Sequence, residues 1–194
     1  MSQTRELKEI EEELLSKSTS KKIQAIHKVI GQMNMGKNVS SLFFSVMKCL
    51  EIQNAEIKKL VYLYITQYSQ EFPQETIMSV NSFIRDAKDK SNSIVRAMAI
   101  RTMGCLRVRD LNEYLVHPLL EALSDDDSYV KKTAVMAVLK INEISPDIVQ
   151  NAKIIPKLLV ILNEDKNPYV IANTLLALHE IEHQKLTKKQ AKVH

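Results

Sequence analysis

Tryptophan is absent from this 194-residue sequence, and all aromatics together make up 5% of it. That excludes the aromatic platforms on which single-stranded nucleic acids stack, and no nucleic-acid partner is expected. Glycine (3 residues) and proline (5) are also scarce. So few backbone breakers, among abundant Leu, Ile, Ala, Lys and Glu, favour helix. There is no glycine-rich phosphate loop, no G-x-S-x-G elbow, and no histidine beside Cys49 or Cys105. Neither an enzyme nor a bound cofactor is expected. No apolar run approaches the roughly 18 residues of a membrane span. The opening MSQTRELKEIEEELL lacks the apolar core of a signal peptide. Both cysteines sit inside apolar helical patterns and read as buried, reduced thiols of a cytosolic chain.

Acidic and basic residues nearly balance. The net charge is +4, but four of the 27 Lys and Arg lie in the tail 185–194 (Lys185, Lys188, Lys189, Lys192), leaving 23 against 23 Asp and Glu. The body therefore carries no global bias toward a polyanion.

What the sequence does have is a repeat. Asn92 to Leu106 reads NSIVRAMAIRTMGCL, Asp127 to Ile141 DSYVKKTAVMAVLKI, and Asn167 to Ile181 NPYVIANTLLALHEI. Asn54 to Tyr68 fits the same template, and Ser20 to Asn34 fits it weakly. Each copy opens on a capping residue with an apolar residue three on: Ile23, Ile57, Val95, Val130, Val170. The starts at 20, 54, 92, 127 and 167 step by 34, 38, 35 and 40 residues. Unequal periods of this size predict an all-α fold, a right-handed α-solenoid of about five HEAT/armadillo-like helix pairs. One domain is expected over 1–184, with 185–194 a basic tail and a candidate for disorder.

In the copy from Asn92, Val95, Met98, Ala99, Met103 and Leu106 form one apolar face, which a single pair cannot bury alone. Gly104, costly in a helix, suggests a close helix contact. A basic residue follows the first apolar position in three copies (Lys58, Arg96, Lys131), where Ile171 departs. These cations are expected to reach neighbouring acidic turns or solvent. Between the repeated helices, Glu75–Ala87 reads as one helix, Asn112–Leu123 as another that Pro118 either kinks or starts late, and Ile154–Leu162 as a third. Ser20, and Ser40 or Ser41, are the expected caps of their helices.

One stretch imitates a catalytic motif. His179-Glu180-Ile181-Glu182-His183 is a literal H-E-x-x-H, which on a helix sets two histidines one turn apart for zinc. The repeat register, however, places Ile181 on the buried face and Glu180 and His183 toward the edge or solvent. No third ligand stands at a recognised spacing, so a zinc hydrolase is a remote alternative and no metal is expected. His27 and His117 are isolated.

Longer matches carry a family resemblance. Gly36-Lys37-Asn38-Val39-Ser40-Ser41-Leu42-Phe43, the helix Glu56–Tyr64 (EIKKLVYLY), Val80-Asn81-Ser82-Phe83, Arg96–Val108 (RAMAIRTMGCLRV) and Tyr129–Val135 (YVKKTAV) follow one another in order. In that order they resemble segments of the beta-adaptins, the large beta subunits of clathrin adaptor complexes. The T-M-G-C-x-R-V wording is similar to the beta chains of trans-Golgi/endosomal and plasma-membrane complexes.

The resemblance implies the N-terminal part of a longer trunk of HEAT-like repeats. It implies a non-enzymatic scaffold in vesicle-mediated transport, cytoplasmic and peripheral on membranes, packed against the medium subunit and the other large subunit. Clathrin and cargo are expected to bind mainly through parts outside this chain. It further implies contact with a GTP-bound Arf-family GTPase at Ile77 and Val80; the helix pattern itself gives Met78 and Phe83 to the core. A phosphoinositide or acidic-lipid contact is implied at Lys21, Lys22 and Lys28. A second basic stretch (Arg85, Lys88, Lys90, Arg96, Arg101, Arg107, Arg109) faces either acidic turns or a membrane. The competing reading is a HEAT scaffold of another assembly, in nuclear transport or phosphatase regulation.

Overall fold

The computed structural model describes residues 2–191, and every regular element among them is helical. The order is α1 (Ser2–Leu15), α2 (Thr19–Asn34), α3 (Phe43–Met47), α4 (Ala55–Tyr68), α5 (Pro73–Met78), α6 (Val80–Ala87), α7 (Ser93–Cys105), α8 (Asn112–Ala122), α9 (Ser128–Ile144), α10 (Pro146–Asn151), α11 (Ile154–Glu164) and α12 (Pro168–Ala191). Short 3-10 turns at Ser40–Leu42 and Lys48–Glu51 flank α3, and a third at Arg109–Leu111 leads into α8. Of the five expected pairs, α1/α2, α3/α4, α8/α9 and α11/α12 each pack together, and the third corresponds in sequence to α5–α6 and α7. Contacts gather into two compact units, Met1–Ser82 and Phe83–His194. The division falls inside α6.

In the first unit α1 packs on α2 and α3, and α4 packs on α2 and α3. Leu14, Ile26, Leu42, Phe43, Ile57 and Ile65 are almost fully buried there. The loop before α3 is pinned by tyrosines. Tyr64 Oη donates to the Val39 carbonyl at 2.6 Å, and the Val39 amide donates to Tyr68 Oη at 3.4 Å. Phe43 stacks on Phe72 at 4.7 Å. Burial pushes the Tyr64 phenol above its usual range. Gly36, at φ +75°, supplies the left-handed residue that ends the α2 segment.

In the second unit α9 is central, packing on α7, α8, α10 and α12, while α11 packs on α12. The face expected in α7 is inward, with Val95, Ala99, Met103 and Leu106 buried and Met98 half-buried. Gly104 has its reason here: a Cβ at this position would stand 2.8 Å from the Ala137 Cβ and 3.1 Å from its Cα. The missing side chain lets α7 and α9 approach closely.

Four copies of the repeat cap as expected. The Asn54 carboxamide accepts from the Ile57 amide at 3.1 Å. Asn92 accepts from Ile94 and Val95, Asp127 from Tyr129, and Asn167 from Tyr169 and Val170. The weak first copy departs, because Ser18 rather than Ser20 caps α2, accepting from Lys21 at 3.5 Å. No side-chain cap forms at Ser40 or Ser41, where a 3-10 turn tightens the entry instead.

The helix expected over 75–87 is divided at Ser79. Its hydroxyl donates to the Thr76 carbonyl at 2.6 Å and its amide donates to the same atom. Such local bonding competes with the α-helical ladder. Pro118 sits inside α8 without ending it. The link after Ser145 is itself a helix, α10, with Pro146 at its first position. Lys153 then turns the chain in the left-handed region at φ 56°. The tail expected from Lys185 is helical as far as Ala191, and 192–194 lie outside the described residues. After Pro168 no glycine or proline interrupts the helix, and Lys, Gln and Ala sustain it.

Candidate partner-binding surfaces

Repeat turns give this fold its electrostatic order. Asp89, Asp125 and Asp165 each accept the amide two residues on, at 2.8–2.9 Å. Cations of the preceding repeated helix, α7 for Asp125 and α9 for Asp165, then close on two of them. Arg96 donates to both Asp125 oxygens at 2.8 and 2.9 Å and to the Asp89 carbonyl at 2.8 Å. Lys131 pairs with Asp165. These bonds raise the Arg96 pKa and hold the Asp165 carboxyl below its usual value. Bonds from the Ser93 hydroxyl and the Tyr129 amide do the same for Asp127. Lys58 is buried, its ammonium donating to the Leu50 carbonyl at 3.3 Å. The cations after the first apolar position are thus parts of the stack.

The implied GTPase-contact residues are separated by burial. Ile77 on α5 is half-buried, whereas Val80 on α6 is only 6% exposed. Their neighbour Met78, expected in the core, is 72% exposed, and Phe83 is fully buried as expected. Thr76, Val80 and Phe83 recur at the i, i+4, i+7 spacing of one helix face and are all buried, so Met78, two residues from Val80 and five from Phe83, falls on the outer side.

Of the implied lipid-contact lysines, Lys21 is exposed and Lys22 half-buried. Lys28 is exposed but held by Glu13 at 2.7 Å through both carboxylate oxygens. In the second basic stretch Lys88 meets Glu121 at 3.2 Å and Arg85 meets Asp86 at 3.5 Å, so with Arg96 these cations face carboxylates.

In the His179–His183 stretch, Ile181 is buried at 1% exposure and His183 is exposed, as the register required. The rings lie 6.4 Å apart between centroids, and His179 Nδ1 lies 3.8 Å from a Glu180 oxygen. Among the described residues no group of three or more His, Cys, Asp or Glu is placed to hold a metal ion. Cys49 is buried and Cys105 half-buried, both free. Burial raises the Cys49 thiol pKa.

Sequence reasoning did not find Met78, nor a basic and aromatic groove formed by Arg101, Lys132 and Tyr169. The signal available for the groove was a basic or aromatic residue on the outer side of each of three repeated helices.

Helix pairs with capped, ion-paired turns define a helical-repeat protein of the armadillo/HEAT class. Solved structures agree on the fold. A designed armadillo repeat protein in complex with a (KR)4 peptide superposes with TM-score 0.65 at 18% identity, covering 89% of this chain and 80% of that one. A chain from a full-length AP-3 complex model in an intermediate open conformation gives 0.62 at 22% identity, covering 91% and 28%.

The family described as Adaptin N terminal region matches residues 2–193, and the chain belongs to it. Its relatives are beta-adaptins. The AP-1 complex subunit beta of Dictyostelium discoideum is 45% identical over 95% of this chain and 19% of its own length. Human AP-1 complex subunit beta-1 is 44% identical over 91% and 18%, and the Saccharomyces cerevisiae subunit 44% over 91% and 24%. The chain thus spans about a fifth of the length of the relatives it matches. No helix among the described residues is long and apolar enough to cross a membrane.

Proposed function

We propose that this chain is the trunk segment of a non-enzymatic beta subunit in a clathrin-associated adaptor complex, acting in vesicle-mediated protein transport. The carrying observation is that 44–45% identity to AP-1 beta subunits extends over 91–95% of the chain. On this reading its helix pairs hold the medium subunit and the other large subunit, and the complex works peripherally on trans-Golgi/endosomal or plasma membranes from the cytoplasm. Affinity purification of the tagged chain from cytosol should bring down medium and large adaptor subunits. Recovery of nuclear-transport or phosphatase subunits in their place would favour the other scaffold reading.

An Arf-family GTPase in its GTP form would dock on α5. Half-buried Ile77 and exposed Met78 supply apolar surface there, and Val80 can contribute only from its buried position. Ile77→Asp with Met78→Asp should abolish GTP-dependent Arf capture while the helical circular dichroism is unchanged. Intact capture by the folded variant refutes this docking. An acidic-lipid contact rests on Lys21 and Lys22, with Lys28 engaged by Glu13. Flotation with phosphoinositide vesicles should therefore be weak and should strengthen in Glu13→Gln. No gain in that variant would remove Lys28 from the reading.

A further inference from the structure

In the second unit Lys88, Arg96 and Lys131 have carboxylate partners, whereas two cations on one groove, Arg101 and Lys132, do not. The groove runs across α7, α9 and α12 and encloses about 440 Å³. Arg101, Lys132, Met136, Lys140, Tyr169 and Asn173 line it. Arg101 is exposed and donates to the Tyr129 hydroxyl at 3.2 Å. The Lys132 ammonium sits 5.0 Å from the Tyr129 ring centroid and 5.9 Å from that of Tyr169. Among the described residues, both cations therefore have neutral tyrosine partners. Lys140 is met by Glu143 at 3.7 Å, an exposed pair that contributes little. Met136 is 39% and Tyr169 72% exposed, which adds apolar and aromatic surface between the charges.

We propose that this groove binds an acidic peptide segment of a partner protein in extended conformation. Its carboxylates would engage Arg101 and Lys132, and an apolar side chain would lie on Met136 and Tyr169. The argument rests first on charge complementarity. Two neighbouring cations without acidic partners, Arg101 and Lys132, leave a local positive field that an anionic segment neutralises.

Preorganisation adds to this. The two tyrosine rings restrict Lys132 before any ligand arrives, which lowers the entropy cost of using it. Spacing agrees as well. Packed helices stand about 8–10 Å apart, and an extended chain advances about 6.6–6.8 Å every two residues. Carboxylates two or three residues apart can therefore meet cations on successive helices. Asn173 presents both a donor and an acceptor, as a peptide backbone requires. A basic peptide would be repelled by Arg101 and Lys132.

The test is fluorescence anisotropy with a labelled decapeptide of glutamates carrying leucine at every third position, and its lysine counterpart. The acidic peptide should bind the native chain, more weakly as salt rises, and the lysine peptide should not. Arg101→Glu with Lys132→Glu should weaken binding at least tenfold, and Tyr169→Ala severalfold. Arg101→Lys with Lys132→Arg should bind within a few-fold of the native chain. The milder Arg101→Gln with Lys132→Gln gives the same reading should charge reversal disturb folding. Equal binding of the two peptides, no binding of the acidic one, or unchanged affinity in the charge-reversed chain overturns the proposal. So does flotation with phosphatidylserine vesicles that depends on Arg101 and Lys132 and is not competed by the acidic peptide.

Discussion

Gly104→Ala sets helix propensity directly against packing. Alanine is favoured over glycine inside a helix by about 1 kcal/mol, so α7 in isolation would gain. In the folded chain the new Cβ would lie 2.8 Å from the Ala137 Cβ, against an optimum of about 3.5–4.0 Å between carbons. The Ala137 Cα at 3.1 Å and carbonyl oxygen at 3.4 Å stand behind it. These atoms belong to or adjoin the backbone, so no rotamer change relieves the clash; α7 and α9 must separate by roughly 1 Å over their contact. Overpacking of this kind costs about 1–3 kcal/mol, and the rigid neighbour places it in the upper half of that range. Subtracting the propensity gain leaves a net loss of about 1–2 kcal/mol. For a chain of this size that corresponds to a midpoint lower by about 2–8 °C. Urea titration and calorimetry measure it, with both transitions followed if the two units melt separately. In an Ala137→Gly background the 2.8 Å contact is gone, and the same substitution should cost about 1 kcal/mol less. A higher midpoint for Gly104→Ala, or strict additivity with Ala137→Gly, refutes the reasoning.

Arg96→Ala removes a bidentate pair whose two side chains are each 15% exposed, and should lower stability by about 2 kcal/mol; Arg96→Lys should restore less than half, because an ammonium cannot reproduce the fork. Folded-state pKa values below the ordinary carboxylate value at Asp127 and Asp165 add stability that is full above that value and is lost as pH falls through the depressed folded values. The midpoint should therefore fall steeply below about pH 4, and less steeply in Asp127→Asn, a comparison made by thermal melts across the acid range. Val80→Asp puts a carboxylate at a position 6% exposed and should lower stability by about 3 kcal/mol or more, whereas Met78→Asp, at 72% exposure, should change it by less than about 0.5 kcal/mol. Zinc titrated against the chain should show no tight stoichiometric uptake, and His183→Ala should melt as the native chain does; saturable uptake lost in that variant would restore the hydrolase reading.

Much of the site was legible only as architecture. The caps Asn54, Asn92, Asp127 and Asn167 could be read because each immediately precedes its apolar stripe, and their interactions are local in sequence. Gly104 could be flagged because glycine is costly in a helix interior, although its partner Ala137 lies on another helix. The pairing of Arg96 with Asp125 could be expected in kind but not in address, since it joins residues 29 positions apart. The helix expected over 75–87 missed the break at Ser79, where hydroxyls at Thr76 and Ser79 bond locally, and Met78, assigned to the core, lies off the Thr76–Val80–Phe83 face and is exposed.

The sequence by itself determined the helices, the repeat and, through ordered matches along the chain, the adaptin family. Periodicity, capping and the scarcity of breakers act over a few residues, so they are written where they act. The tertiary structure decided which polar and apolar groups find partners. Arg96 and Lys131 are satisfied by carboxylates of the next turn, while Arg101 and Lys132, in the same helices and of the same chemistry, face a groove beside tyrosines. That difference lies in how neighbouring helices pack, because a side chain on one repeat finds its partner or its solvent on the next.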